Sequence, residues 1–104
     1  MKNITVEELK ARMDAGEKLN IIDCREPQEY AEYNIGAKLF PLGQIQTMQV
    51  EELEDWKDQE VIIHCRSGHR SMMACLFLDT LGFKDTKNLA GGILAWKEKY
   101  DPAK

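Results

Sequence analysis

The stretch VIIHCRSGHRSMMACLFLDTLG, residues 61–82, limits the possible folds more than any other part of the chain. It opens with a continuous β-branched run, which is typical of a parallel strand covered on both faces. It closes with RSMMACLFLDTLG, whose apolar residues surround the helix axis almost completely and predict a deeply buried helix. A short polar loop with one cysteine, one glycine and two arginines lies between them. The stretch therefore predicts a buried strand, a basic loop and a buried helix in direct succession.

The rest of the chain alternates between predicted helices and predicted strands. Thr5 and Glu8 have capping-box spacing and begin a helix over VEELKARMDAG, which Gly16 would end. Further strands are predicted at LNIID (19–23), AKLFP (37–41) and TKNL (86–89). Further helices are predicted at EPQEYAEY (26–33), GQIQTMQVEELEDWKDQ (43–59) and GGILAWKEKY (91–100). This order predicts an α/β fold with an open parallel sheet and helices on both faces. The helix residues expected in the core are Ile45, Met48, Leu53, Met72, Met73, Cys75 and Trp96.

Composition and charge limit the kinds of partner. The chain has 104 residues, 43% apolar and 31% charged, which predicts one globular domain spanning residues 1–104. Its net charge is −4 and it has no Lys/Arg-rich run, which argues against nucleic acid as a partner. The longest apolar run, MMACLFL at 72–78, is too short to cross a membrane, and no export signal is visible. Three cysteines without a C-x-x-C pair indicate a reducing compartment, so we expect a cytoplasmic protein.

The loop after the β-branched strand can hold an ionised thiol. Cys65 lies at the carboxyl end of a predicted parallel strand, where α/β sheets bind their ligands. Loop N–H groups and the helix dipole favour negative charge there, and such surroundings lower the pKa of a cysteine from about 8.5 to roughly 3.5–7.5. Arg66 and Arg70 add positive charges, and Gly68 lets the backbone turn tightly. The loop is therefore predicted to be an anion cradle with a nucleophile at its floor.

The spacing of the loop separates two kinds of cysteine chemistry. Phosphatases of the tyrosine type have a cysteine, five further residues and then an arginine. Here the position that should be arginine is Ser71, and the arginine stands one position earlier, at Arg70. The phosphate signature therefore fails by one residue. A tighter loop suits a smaller group, such as one sulfur atom added to the sulfur of Cys65 as a persulfide.

Several motifs resemble those of the single-domain rhodaneses, a family of sulfurtransferases. The loop HCRSGHRS (64–71) is similar to the active-site loop of that family. IIDCREPQEYAEYNIGAKLFPL (21–42) resembles its Asp-x-Arg-Glu segment with the helix and the Gly-Ala-x-x-x-Pro-Leu strand that follow. LAGGILAWKEKY (89–100) resembles its Gly-Gly-x-x-x-Trp segment, and ITVEELKARMDAGEKLNIID (4–23) matches its N-terminal helix and first strand. The resemblance covers essentially the whole chain.

The resemblance implies a rhodanese-like fold with a five-stranded parallel sheet, and it makes Cys65 the sulfur carrier. The thiolate would attack the outer sulfur of a donor such as thiosulfate, hold that sulfur as a persulfide, and pass it to a thiophilic acceptor such as cyanide or a thiol. Arg66 and Arg70 would bind and polarise the anionic donor, and loop N–H groups would stabilise the persulfide. No metal or organic cofactor is implied. The expected site comprises the loop residues Arg66, Ser67, Gly68, His69, Arg70 and Ser71, with Asp23 and Arg25 as a supporting ion pair.

The sequence departs from the family pattern near the first short helix. Tyr33 and Asn34 stand where the family commonly has Gly-His, so we expect a changed helix end and an intact loop. Cys24 ends a strand and is expected on the same edge of the sheet as Cys65. It is interpreted as a packing residue, and a minority hypothesis makes it the thiol that resolves an oxidised Cys65 as a disulfide.

The two histidines are interpreted as bystanders. His64 is expected to pack against the sheet and His69 to lie at the rim of the loop. A zinc site built from these histidines with Cys65 and Cys75 is disfavoured, because the spacing fits no common zinc pattern.

Three functions stay open. The leading one is a sulfurtransferase with a small anionic sulfur donor, and a protein-bound persulfide is a further candidate partner. The second is a phosphatase or arsenate reductase of the same fold. The third is a non-catalytic or sulfur-relay module that binds a partner protein.

Overall fold

The computed structural model describes residues 1–101 as a five-stranded parallel sheet flanked by helices. The strands are β1 (Lys2–Ile4), β2 (Ile21–Asp23), β3 (Lys38–Leu39), β4 (Glu60–His64) and β5 (Asp85–Leu89). The helices are α1 (Val6–Asp14), α2 (Pro27–Glu32), α3 (Leu42–Gln46), a 3₁₀ helix (Glu51–Trp56), α4 (His69–Thr80) and α5 (Gly92–Tyr100). The strand order is β1-β5-β4-β2-β3, and each of these pairings is parallel. The predicted open parallel α/β sheet is confirmed.

The β-branched strand β4 lies at the centre of the sheet and supplies both cores. Consecutive side chains on a strand point to opposite faces, so Ile62 packs on one face and Val61 and Ile63 on the other. The face of Ile62 is covered by α1 and α5, with Leu9 and Trp96 buried there. The opposite face is covered by α3, the 3₁₀ helix and α4. Helices on both faces of the sheet, and a buried Trp96, are therefore confirmed.

The start of α1 has the predicted capping box. The Glu8 N–H donates to Thr5 Oγ1 at 3.1 Å, and the Thr5 N–H donates to Glu8 Oε1 at 3.0 Å. Two N–H groups at the start of the helix, which have no partner within it, are satisfied in this way. The helix ends at Asp14, and Gly16 follows it with a φ of 78°.

The segment over residues 43–59 differs from its prediction. It was expected to be one helix, but α3 stops at Gln46 and a 3₁₀ helix begins only at Glu51. Met48 adopts a φ of 61°, which breaks the helix, and its side chain is 65% exposed. The expectation that Met48 faces the core is therefore wrong, whereas Ile45 and Leu53 are buried.

Helix α4 is buried on one side only. Cys75 and Leu78 face the sheet and are fully buried, as predicted for Cys75, but Met73 and Leu76 are 37% and 50% exposed. The helix forms the outer layer on its face of the sheet, so the side turned away from the sheet meets solvent. The expectation that Met73 is a core residue is wrong. No helix within residues 1–101 is long and apolar enough to cross a membrane.

The edge strand β1 was missed by the sequence analysis. It has three residues with only Ile4 buried, which is too short for an alternating pattern to show. It pairs with β5 in the register Ile4 to Leu89 and completes the five strands.

Candidate active site

The two strands at the middle of the sheet bring two cysteines together. Asp23, the last residue of β2, is in register with His64, the last residue of β4. The next residues are Cys24 and Cys65, and the Cys24 N–H donates to the His64 carbonyl at 3.0 Å. The strand that follows β2 in the sequence, β3, lies on one side of this pair, and the strand that follows β4, β5, lies on the other side. Cys65 therefore lies where the strand order reverses, which is the usual ligand position in such sheets.

The loop after β4 wraps around the sulfur of Cys65. The Gly68 N–H donates to Cys65 Sγ at 3.2 Å, and the Ser71 N–H donates to it at 3.3 Å. Gly68 has a φ of 103°, in the left-handed region that a residue without a Cβ adopts at little cost. Helix α4 begins at His69, so its N-terminal end adds its dipole to these N–H groups. The predicted ring of N–H groups is present, and in this structure the N–H groups are directed at the Cys65 sulfur itself.

Hydrogen bonds keep Cys65 ionised despite its burial. A hydrogen bond from Cys24 is the largest influence, and it lowers the pKa of Cys65 to about 4 together with smaller contributions from Ser71 and Gly68. Burial acts in the opposite direction, but it is outweighed. The same contact, together with burial, raises the pKa of Cys24 far above its usual value. At neutral pH the pair therefore consists of a Cys65 thiolate and a protonated Cys24 thiol.

Because Cys65 is ionised, its rate of alkylation should not depend on pH in the way that the rate of an ordinary thiol does. With a pKa of about 4, the rate of reaction with iodoacetamide should stay constant from neutral pH down to about pH 5 and fall as the pH drops through 4. An ordinary thiol, with a pKa of about 8.5, loses about tenfold in rate per pH unit below that value. Rates on the Cys65 peptide, read by mass spectrometry, test this. A rate that falls tenfold for each pH unit between pH 8 and pH 5 would show that the pKa of Cys65 is not lowered.

The start of α5 fixes the loop from behind. The Ile93 N–H donates to the Cys65 carbonyl at 2.9 Å, and the Leu94 N–H donates to the Arg66 carbonyl at 3.0 Å. Gly92 stands so close that a Cβ there would lie 2.6 Å from both carbonyl oxygens. Its φ of 57° also favours glycine. No role for Gly92 was predicted from the sequence, where it belongs to the Gly-Gly-x-x-x-Trp motif.

The two arginines of the loop have different surroundings. Arg70 forms a bidentate ion pair with Glu29 of α2, at 2.8 and 2.9 Å, which lowers the pKa of Glu29 to about 2. Arg66 is exposed and borders a cavity of about 260 Å³. The same cavity is lined by Arg25, Glu29, Glu32, Tyr33, Ile93, Leu94 and Lys97. Glu29 was not among the predicted site residues, because its contact with Arg70 spans 41 positions in the sequence.

The predicted ion pair below the loop is present. Arg25 Nη2 donates to Asp23 Oδ2 at 2.7 Å and also to the Tyr33 carbonyl at 2.7 Å. Both charged side chains are buried, at 5% and 0% exposure, so each compensates the other where water does not reach. The bond to the Tyr33 carbonyl connects the end of β2 to the end of α2, where the helix stops at Glu32 and Tyr33 is extended.

The remaining predicted residues lie around this arrangement. His64 is fully buried, burial lowers its pKa, and its Nε2 has no hydrogen-bond partner within residues 1–101. His69 and Ser67 are exposed at the rim of the loop. The Ser71 hydroxyl donates to the Asn88 side chain of β5, a contact that was not predicted. Burial raises the pKa of Cys75 to about 12.

Comparisons with known proteins agree on the family. A model of the rhodanese-like domain matches residues 5–99. The "Putative sulfurtransferase YtwF" of Bacillus subtilis is 41% identical over 103 residues, covering 98% of this chain and 96% of that protein. The "Sulfurtransferase" of Allochromatium vinosum is 35% identical and covers 92% and 88%. The crystal structure of a rhodanese-like domain protein from Staphylococcus aureus superposes with a TM-score of 0.79 at 34% identity, covering 92% and 91%.

Proposed function

The chain belongs to the rhodanese-like domain family, and we propose that it is a sulfurtransferase that carries sulfur as a persulfide on Cys65. The observation that supports this proposal is the pair of N–H groups directed at the sulfur of an ionised, loop-bound cysteine. A thiolate is the nucleophilic form of cysteine, and the N–H groups can stabilise charge on a second sulfur bound to it. The relatives named as sulfurtransferases support the same reaction class.

The reaction takes place in two steps. The Cys65 thiolate attacks the outer sulfur of a donor such as thiosulfate, the sulfur–sulfur bond of the donor breaks, and sulfite leaves with the electron pair. In the second step a nucleophilic acceptor, such as cyanide or a thiolate, attacks the outer sulfur of the persulfide, and the Cys65 thiolate leaves. The low pKa of Cys65 serves both steps, because the thiolate is the attacking group in the first and the leaving group in the second. Neither step needs a metal or an organic cofactor.

The exposed charge beside the cavity is proposed to bind the donor. Arg66 borders the cavity together with Lys97, and a small dianion placed there would be attracted by both cations. Arg70 is held by Glu29 and links α4 to α2, so its charge favours the anionic site while its side chain fixes the loop. The donor is therefore proposed to be a small anion such as thiosulfate, and a persulfide on a glutathione molecule or a protein is the other candidate.

Phosphoryl or arsenate chemistry is disfavoured by the same loop. Ser71 occupies the position at which the tyrosine-type phosphatase signature requires an arginine, and its N–H is already directed at Cys65. Arg70, the arginine one position earlier, forms an ion pair with Glu29. A module that only binds a partner would not need an ionised cysteine in the loop.

The test of this proposal is sulfur uptake and release by the reduced protein. When the reaction with thiosulfate is quenched with acid directly after the first step, the intact mass should increase by one sulfur atom, located on the Cys65 peptide. Thiosulfate and cyanide together should give thiocyanate in steady state. Failure to take up sulfur from thiosulfate, glutathione persulfide or a protein persulfide would contradict the proposal.

The same assay separates donor binding from chemistry. The Arg66→Gln variant should have a KM for thiosulfate about tenfold higher with kcat little changed, because one charge contact to the donor is lost. Lys84→Gln is the matched control, since Lys84 directly precedes β5, at the end of the strands opposite Cys65, and forms an ion pair with the exposed Asp58. An unchanged KM in Arg66→Gln would remove this arginine from the donor site.

A further inference from the structure

Cys24 is a buried thiol that the proposed sulfur transfer does not use as a nucleophile. Cys24 directly follows β2, and Cys65 directly follows β4. The last residues of these strands, Asp23 and His64, are paired in register. Neighbouring strands are about 4.8 Å apart, which is within the Cα separation of about 4.4–6.8 Å found in disulfides. Both side chains face the same apolar core and are 1% exposed. The positions are thus compatible with a bond between the two sulfurs.

The surroundings of Cys24 favour reaction with Cys65 over reaction with solutes. The two cysteines are neighbours across the paired ends of β2 and β4, where the Cys24 N–H donates to the His64 carbonyl at 3.0 Å, and both belong to one buried cluster. The Cys65 residue is 1% exposed, so a solute acceptor has less access to its sulfur than Cys24, which lies on the neighbouring strand end in the same buried cluster. Holding two reacting groups in contact gives effective concentrations far above those of any free thiol.

We propose that this protein has a second activity, in which Cys24 attacks the persulfide of Cys65, releases sulfide and leaves a Cys24–Cys65 disulfide. This inference rests on the persulfide of the proposed function. Cys24 attacks the inner sulfur, Sγ of Cys65, so the bond between Sγ and the outer sulfur breaks as the new disulfide bond forms. The outer sulfur, which carries the negative charge of the persulfide, takes the proton of the Cys24 thiol and leaves as hydrosulfide, which is in equilibrium with hydrogen sulfide in water.

Persulfide formation prepares Cys24 for this step. In the free enzyme the thiolate on Cys65 holds the Cys24 proton in place and keeps its pKa high. When a second sulfur is added, the negative charge moves outward to that sulfur. Cys24 then faces a neutral sulfur atom, so its proton is released more easily.

The disulfide product makes this activity depend on a reductant. A dithiol of the thioredoxin type would restore the two thiols by disulfide exchange and would itself become oxidised. The net reaction would convert thiosulfate and a dithiol into sulfite, hydrogen sulfide and a disulfide. Free thiol or cyanide acceptors would compete with Cys24 for the same persulfide.

The test is a single turnover without any acceptor. The fully reduced protein, freed of reductant under nitrogen, is mixed with thiosulfate, and sulfide and intact mass are measured together. The wild type should release one equivalent of sulfide and lose the mass of two hydrogen atoms, with the cross-link mapped to the Cys24 and Cys65 peptides. Cys24→Ser should instead keep the added sulfur and release no sulfide. Cys75→Ala should behave as the wild type, because Cys75 is a residue of α4 that is buried in the apolar core and lies outside the loop.

The outcomes separate this inference from the proposed function. A wild type that keeps the added sulfur and releases no sulfide would overturn the inference and leave the sulfurtransferase intact. Equal sulfide release by Cys24→Ser would also overturn it. If neither protein takes up sulfur nor forms the disulfide, both proposals fail. Cys24→Val, which places an apolar side chain in the apolar core, replaces Cys24→Ser if circular dichroism shows that the serine variant is unfolded.

Discussion

The Cys65→Ala variant is expected to lose sulfur transfer by roughly 10³-fold or more, because removal of a covalent nucleophile eliminates the intermediate itself. Cys65→Ser should fail equally, since a serine hydroxyl is not ionised at neutral pH and does not form a persulfide. The fold should survive both changes. The Cys65 side chain is small and is held by loop N–H groups that can bind water or a hydroxyl in its place. Thiocyanate formation from thiosulfate and cyanide, followed in both variants beside the wild type, measures the effect.

The control for this experiment is Cys75, a core cysteine that lies outside the loop. Cys75→Ala removes a buried thiol from α4 without touching the loop, so it should retain the turnover of the wild type. Retained turnover in Cys65→Ala would show that another group carries the sulfur. No turnover in any variant, the wild type included, would favour the role of a partner-binding module.

The sequence was sufficient for the parts of the site that are local in the chain. The β-branched run before Cys65, the glycine at Gly68 and the apolar helix after the loop are contiguous, and each follows from backbone preferences of a few residues. The short ion pair of Asp23 and Arg25 was also predicted, because its members are two positions apart. Local chemistry of this kind does not depend on how the strands are ordered.

The contacts that hold the site together were hidden because they join distant parts of the chain. Glu29 reaches Arg70 across 41 positions, and Ser71 reaches Asn88 across 17. Cys24 was expected on the same edge of the sheet as Cys65, but that the two are direct neighbours follows only from the pairing of β2 with β4. Likewise, Met48 and Met73 are apolar residues at helical spacing, but their exposure depends on where a helix breaks or which layer it forms.

These contacts show that the loop is fixed from three directions. The ion pair with Glu29 holds it from α2, the bond between Ser71 and Asn88 holds it from β5, and the N–H groups of Ile93 and Leu94 hold it from α5. The geometry of the Cys65 cradle is therefore a property of the whole sheet edge. A change outside the loop, at one of the residues that hold it, should therefore also disturb the chemistry at Cys65.

The Gly92→Ala variant is expected to show this most clearly. Its Cβ would lie 2.6 Å from the carbonyl oxygens of Cys65 and Arg66, and backbone atoms cannot be displaced cheaply. Its φ of 57° adds the strain of a left-handed residue with a side chain. We expect a loss of roughly 2–4 kcal/mol in the free energy of unfolding, from steric overlap and backbone strain together. Displacement of the loop should also lower kcat/KM by about 10²-fold.

The matched control is Gly43→Ala, at an exposed position of α3 where a Cβ meets nothing within 4 Å. It should leave sulfur transfer unchanged and raise stability by up to about 1 kcal/mol, since alanine favours a helix over glycine. Urea denaturation and steady-state kinetics on both variants give the comparison. If Gly92→Ala were as stable and as active as Gly43→Ala, the start of α5 would not hold the loop. The position of Cys65 would then depend on the ion pair with Glu29 and on β5 alone.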